Sequence, residues 1–169
     1  MRRSLYPQVA VLLFVALFLA IRTAEGQCAT VLWSTFGTSG GTGFGSAVAS
    51  VGDINADGVP DFVVGAPSAA SGSSSSLPGQ ARVFSGTDGS PLQVYSGANS
   101  GDRFGAAVAG AGDFNGDGTG DVLVGAPAGS SFPSGPGHAY VFSGSNGSTL
   151  LTLSGPPGFG DAVASAGDL

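Results

Sequence analysis

At 169 residues and 42% apolar content, the chain is long enough for one ordinary domain, and its composition excludes general disorder. There is no lysine, and beyond residue 26 only Arg82 and Arg103 stand against ten aspartates, a formal charge of −8. Such a surface makes nucleic acid and anionic membranes poor partners.

The chain opens with Arg2 and Arg3, then an unbroken apolar run from Val9 to Ile21, then Arg22-Thr23-Ala24-Glu25-Gly26. A basic start, a run too short to cross a ~30 Å hydrocarbon core, and small residues at its end are the layout of a secretory signal peptide over 1–26. Ala24 and Gly26 place the expected cleavage before Gln27. The mature chain is expected to be secreted, extracellular or on a cell surface (periplasmic in a Gram-negative source), with no membrane insertion after cleavage. Cys28 is the single cysteine, so no disulfide can form within the domain. It is either an incidental thiol or a link between chains. In the lead-in over 27–43, Trp33 and Phe36 alternate with small residues and read as a stray strand. Gly41-Thr42-Gly43-Phe44-Gly45 looks like a phosphate-binding glycine loop, but no helix follows it and no lysine is available.

From Phe44 onward the chain repeats. Phe44-Gly45-Ser46-Ala47-Val48-Ala49-Ser50-Val51-Gly52-Asp53 returns from Phe104 to Asp113 and again from Phe159 to Asp168. Asp61-Phe62-Val63-Val64-Gly65-Ala66-Pro67 returns as Asp121 to Pro127, and Arg82-Val83-Phe84-Ser85-Gly86 as Tyr140 to Gly144. The units are 44–103, 104–158 and the opening of a third at 159–169. Fixed-period self-similarity of this kind marks a repeat architecture.

Within a unit, short β-forming runs are bounded by Gly, Asp and Pro, and no helical periodicity lasts beyond a turn or two. Strands are expected at about 46–51, 61–66, 80–85 and 91–96, then at 106–111, 121–126, 138–143 and 149–154. Asp88-Gly89 and Asn146-Gly147 are hairpin signals, read as type I′ turns with positive φ at both central residues. The links Pro67 to Gly79 and Pro127 to Gly137 are Ser-, Gly- and Pro-rich surface loops. The fold class is all-β: propeller blades of four antiparallel strands each, a partial propeller.

The acid is concentrated in two of the links. Asp53-Ile54-Asn55-Ala56-Asp57-Gly58-Val59-Pro60-Asp61 recurs as Asp113-Phe114-Asn115-Gly116-Asp117-Gly118-Thr119-Gly120-Asp121. Every oxygen donor is retained while the residues between them change. The opening is shared with the EF-hand loop, but the twelfth positions, where that loop carries a bidentate Glu, are Val64 and Val124. The loop closes instead at its ninth position, Asp61 or Asp121. Donors on Asp53, Asn55, Asp57 and Asp61, with a main-chain carbonyl near Val59, suit Ca²⁺ better than Mg²⁺, which demands stricter octahedral geometry. Gly58 and Gly118 permit the turn. The alternative is that Asp, Asn and Gly are simply good turn formers, although three carboxylates within nine residues repel one another without a counter-ion, which a bound cation would supply.

With Phe-Gly, the acidic loop and Gly-Ala-Pro in the same order twice, the chain resembles FG-GAP repeat proteins, whose repeat is the blade unit of the integrin α-subunit N-terminal β-propeller. The resemblance implies calcium at Asp53, Asn55, Asp57 and Asp61 with the Val59 carbonyl, and at Asp113, Asn115, Asp117 and Asp121 with the Thr119 carbonyl. It also implies a protein or glycan ligand. Family propellers commonly have seven blades, roughly 400 residues at this period, so the chain is expected to be a piece of a longer protein.

Other candidates for chemistry are weak. His138 is the sole histidine and aligns with Gln80 of the preceding repeat, so its position does not demand imidazole. No Ser-His-Asp or Cys-His set has support from the repeat. Asn146-Gly147-Ser148 fits an N-glycosylation acceptor on an exposed turn. The leading expectation is a secreted, calcium-binding, non-catalytic module of adhesion or recognition. The rivals are the propeller portion of a larger extracellular hydrolase and a structural surface-layer component.

Overall fold

The computed structural model describes residues 43–67, 78–99, 101–128 and 135–166. The leader, Cys28, Trp33, Phe36, Asp168 and much of both long links lie outside the described residues. Eight strands are present: β1 (Ala47–Gly52), β2 (Asp61–Ala66), β3 (Gln80–Phe84), β4 (Pro91–Ser96), β5 (Ala107–Gly112), β6 (Asp121–Ala126), β7 (Gly137–Phe142) and β8 (Thr149–Gly155). Each boundary falls within about one residue of its sequence-based expectation, because Gly, Asp and Pro flank every β-forming run. Among the described residues there is no helix.

The strands form two four-stranded sheets, β1-β2-β3-β4 and β5-β6-β7-β8, antiparallel throughout. Each is a β-propeller blade, and the two are joined face to face through β5, which packs on β1 and β2. Strand alternation sorts the side chains. Val63, Ala81, Val83 and Tyr95 project from the first blade and meet Val108, Val122, Val124, Ala126 and Phe142 of the second. Phe62, Val64, Ala66 and Phe84 project from the opposite face of the first blade and form a second cluster with Phe44. The inner strand β2 is buried on both faces, which is why it reads as an uninterrupted apolar run.

Both hairpins form where expected, but their turns are not type I′. Gly89 and Gly147 have φ of 73° and 75°, whereas Asp88 and Asn146 are absent from the left-handed region. The amide of Gly89 donates to the carbonyl of Ser85 and that of Ser85 to Ser90, both at 2.9 Å, so the connection is a longer loop. Asp88 Oδ1 accepts the Ser90 amide at 2.9 Å and Asn146 Oδ1 the Ser148 amide at 2.8 Å. Those side-chain turns hold Asp and Asn at ordinary φ and leave only the glycine left-handed.

The Phe-Gly and Gly-Ala-Pro elements meet between blades. The Gly105 amide donates to the Gly125 carbonyl of its own blade at 2.9 Å, while its carbonyl oxygen faces Gly65 of the preceding one. A Cβ on Gly65 would lie 2.1 Å from that oxygen, and Gly125 stands in the same relation to Gly160, at 2.0 Å. Phe104 is fully buried beside Tyr140 and Phe142, with ring centroids 5.6 and 5.9 Å away. Each Phe-Gly thus plugs the seam that the preceding glycine leaves open. Gly65→Ala should lower stability by about 2–3 kcal/mol by forcing the blades apart. Gly52→Ala, with no atom within 4 Å of the new methyl group, should cost about 1–2 kcal/mol from its left-handed φ alone. Urea unfolding midpoints of the two variants check the ranking.

Candidate functional site

The acidic loops connect β1 to β2 and β5 to β6. A β-bulge at the end of β1, between Ser50 and Gly52, and its copy between Gly110 and Gly112 turn the chain out of the sheet. Gly52 and Gly112 take φ of 78° and 70°, and the following Asp53 or Asp113 starts the loop. The ninth residue opens the next strand and is buried, with Asp61 1% and Asp121 0% exposed.

Asp61 closes the loop by accepting main-chain amides. Its Oδ2 takes Ile54 N–H at 2.8 Å and Asn55 N–H at 3.4 Å, and its Oδ1 takes Gly86 N–H of the β3–β4 turn at 2.9 Å. Asp121 repeats this with Phe114 at 2.8 Å, Asn115 at 3.2 Å and Gly144 at 3.0 Å. Asp53 accepts Asp57 N–H at 3.0 Å and Gly58 N–H at 2.8 Å, one on each oxygen. Asn55 Oδ1 accepts the same Asp57 amide at 3.1 Å, and Asp57 Oδ1 accepts Val59 N–H at 2.8 Å. Asp113, Asn115 and Asp117 make the equivalent bonds to Asp117, Gly118 and Thr119 at 2.8–2.9 Å. The two loops are copies in hydrogen bonding as well as in sequence.

Six N–H groups therefore supply positive dipole ends to each loop, so carboxylate repulsion alone does not demand an ion. Among the described residues no three acidic side chains converge into a metal cage. The donor set itself is suited to a hard cation: all oxygen, three carboxylates and an amide in nine residues, twice over. Asp53 uses only two of the roughly four acceptor positions a carboxylate offers. Val64 and Val124, at the twelfth position, are fully buried in apolar clusters, so the EF-hand pattern stops where the sequence says it does.

The β3–β4 and β7–β8 turns complete the site, and reasoning on the acidic loops alone misses them. Thr87 Oγ1 donates to Asp57 Oδ2 at 2.9 Å, with Ser85 Oγ at 3.4 Å, and Ser145 Oγ donates to Asp117 Oδ2 at 2.7 Å. The available signal was the return of Ser-Gly at 85–86 and 143–144. Asp57 is held below the usual carboxylate range, first by the Asn55 side chain and then by the Val59 amide and Thr87. Asp117 is lowered first by Ser145, then by Asn115 and the Thr119 amide.

His138 lies elsewhere, on β7, with Nδ1 3.0 Å from Ser154 Oγ of the facing strand. Gln80 faces Ser96 in the same way in the first blade, so this is a cross-strand pair that the repeat preserves without imidazole.

A family model for the FG-GAP repeat matches residues 44–77 and 104–142. These two segments are FG-GAP repeats. The chain is 37% identical to mouse integrin alpha-2 over 97 residues, 52% of this chain and 8% of that protein. It is 36% identical to human integrin alpha-7 over 110 residues, covering 62% of this chain and 9% of the relative. With Xenopus laevis integrin alpha-4 the identity is 32% over 129 residues, or 73% and 12% of the two. The chain spans about a tenth of the length of these curated relatives.

The FG-GAP loops differ at one strained position. Ala56 is left-handed, φ 59°, where its counterpart Gly116 has φ 74°. Ala56→Gly should stabilise the chain by about 0.5–1 kcal/mol in thermal melts, as relief of that strain exceeds the added chain entropy. The depressed Asp57 and Asp117 contribute stability that is present above the ordinary aspartate value of 3.8 and is lost as pH falls through their lower folded values. Melting temperature should therefore decline in acid below pH ~4, and Asp57→Asn with Asp117→Asn should flatten that decline.

Proposed function

We propose that the chain belongs to a secreted or cell-surface β-propeller module of adhesion or recognition, calcium-stabilised and non-catalytic. The observation that carries the calcium reading is the pair of matching all-oxygen loops, each clamped by a buried ninth aspartate and a serine-bearing turn. Asp53, Asn55, Asp57 and Asp61, with the Val59 carbonyl, would hold one ion. Asp113, Asn115, Asp117 and Asp121, with the Thr119 carbonyl, would hold the other. The ion's contribution is structural: it would tie the end of one strand, the start of the next and the neighbouring hairpin into one unit. Similarity to integrin alpha subunits supports the adhesion or recognition role and a protein partner, with a glycan as the alternative ligand. Asn146, exposed on the β7–β8 turn, is accessible to glycosylation in a source that performs it.

With a Kd on the order of 0.1 mM, in the range of extracellular sites, ~1 mM Ca²⁺ would stabilise the fold by roughly 1.4 kcal/mol per site. Titrating Ca²⁺ into chelator-treated protein should raise its melting temperature by several degrees. Asp57→Ala combined with Asp117→Ala should abolish the rise, and an unresponsive native chain would refute the calcium assignment.

A further inference from the structure

The turn that completes the second acidic loop is held from the first blade. Tyr95 of β4 is 4% exposed, and its ring stacks on Phe142 across the seam with centroids 4.4 Å apart. Its hydroxyl donates to Gln93 Oε1 and lies 3.3 Å from the Ser143 carbonyl oxygen. Gln93 Nε2 donates to the Gly144 carbonyl oxygen. Gln93 therefore holds a carbonyl of the other blade's turn, and Tyr95, packed beside the preceding carbonyl, orients Gln93. The opposite side of that turn serves the loop, through Gly144 N–H on Asp121 and Ser145 Oγ on Asp117. Ile54, inside the first loop, also abuts the turn, since a Cβ on Gly144 would lie 3.3 Å from its Cδ1.

We propose that Gln93 and Tyr95 are positioning residues for the 113–121 loop, setting its cation affinity from the neighbouring blade. This rests on the reading of that loop as a calcium site. A polar clamp in a part-buried seam is directional, whereas apolar contact would allow the turn to slide. The clamp belongs to this seam alone among the described strands, because the positions equivalent to Gln93 and Tyr95 in β8 are Leu151 and Leu153. Among the described residues, no side chain of the second blade hydrogen-bonds the Ser85–Gly86–Thr87 turn. Among the described residues, the clamp is present on the turn of the second loop.

The test uses the full chain with one loop disabled at a time, Asp57→Ala leaving 113–121 and Asp117→Ala leaving 53–61, and reads Ca²⁺ binding by calorimetry. Adding Gln93→Ala, or Tyr95→Phe, which keeps the stacked ring, should weaken binding about three- to tenfold in the first background. In the second background the affinity should stay within about twofold. Equal losses in both, or none in either, would overturn the proposal. If the native chain binds no Ca²⁺, the calcium reading fails, and amide exchange of the ion-free protein decides the clamp separately. Gln93→Ala should then speed exchange at Gly144 and leave Gly86 unchanged; unaltered Gly144 would overturn it.

Discussion

A buried carboxylate bound entirely by main-chain amides is the constraint on which each blade depends. Asp61 sits where the loop ends, the inner strand begins and the hairpin turn comes back, and it accepts the N–H groups of Ile54 and Asn55 from the loop and of Gly86 from the turn. Removing one partner from such a group leaves an unsatisfied buried charge, which costs far more than a surface hydrogen bond. The loop's shape, the start of β2 and the placement of the β3–β4 turn are therefore set together. That Asp121 reproduces the pattern at 0% exposure shows that it is a property of the repeat and not of one loop's surroundings.

Between blades the constraint is steric. Gly65 and Gly125 are glycine because a carbonyl of the next Phe-Gly occupies the volume of a Cβ, and Phe104 fills the adjoining pocket. The repeat is thus written out of phase with the blade: the Phe-Gly of one unit completes the packing of the unit before it. Stability of this kind spreads from neighbour to neighbour, as in other repeat folds. It also makes the seam a route by which one blade acts on its neighbour's loop, since Gln93, Tyr95 and Ile54 all reach the turn at Gly144.

Much of this was legible in the sequence for identifiable reasons. Strand positions followed from β-forming runs punctuated by Gly, Asp and Pro, and the loop's closure at the ninth residue from aspartates at 61 and 121 with valines at 64 and 124. Turn geometry was legible only in part. Asp-Gly and Asn-Gly announced hairpins, but their own side chains capped the following amides and kept Asp88 and Asn146 out of the left-handed region. Repulsion among the loop carboxylates is likewise offset by main-chain amides that a tight loop aims inward, which a count of charges along the chain does not include.

The sequence by itself determined the repeat, the four-strand unit and the placement of the acidic side chains in the links between strands, because these depend on composition and spacing along a few tens of residues. Only the tertiary structure decided which groups those side chains meet and what supports them. Ser85, Thr87 and Ser145 join the loops through contacts about thirty residues away, and Gln93 and Tyr95 about fifty. Spacing along the chain carries no record of such approaches; they arise when strand pairing and blade packing bring distant turns to the same place.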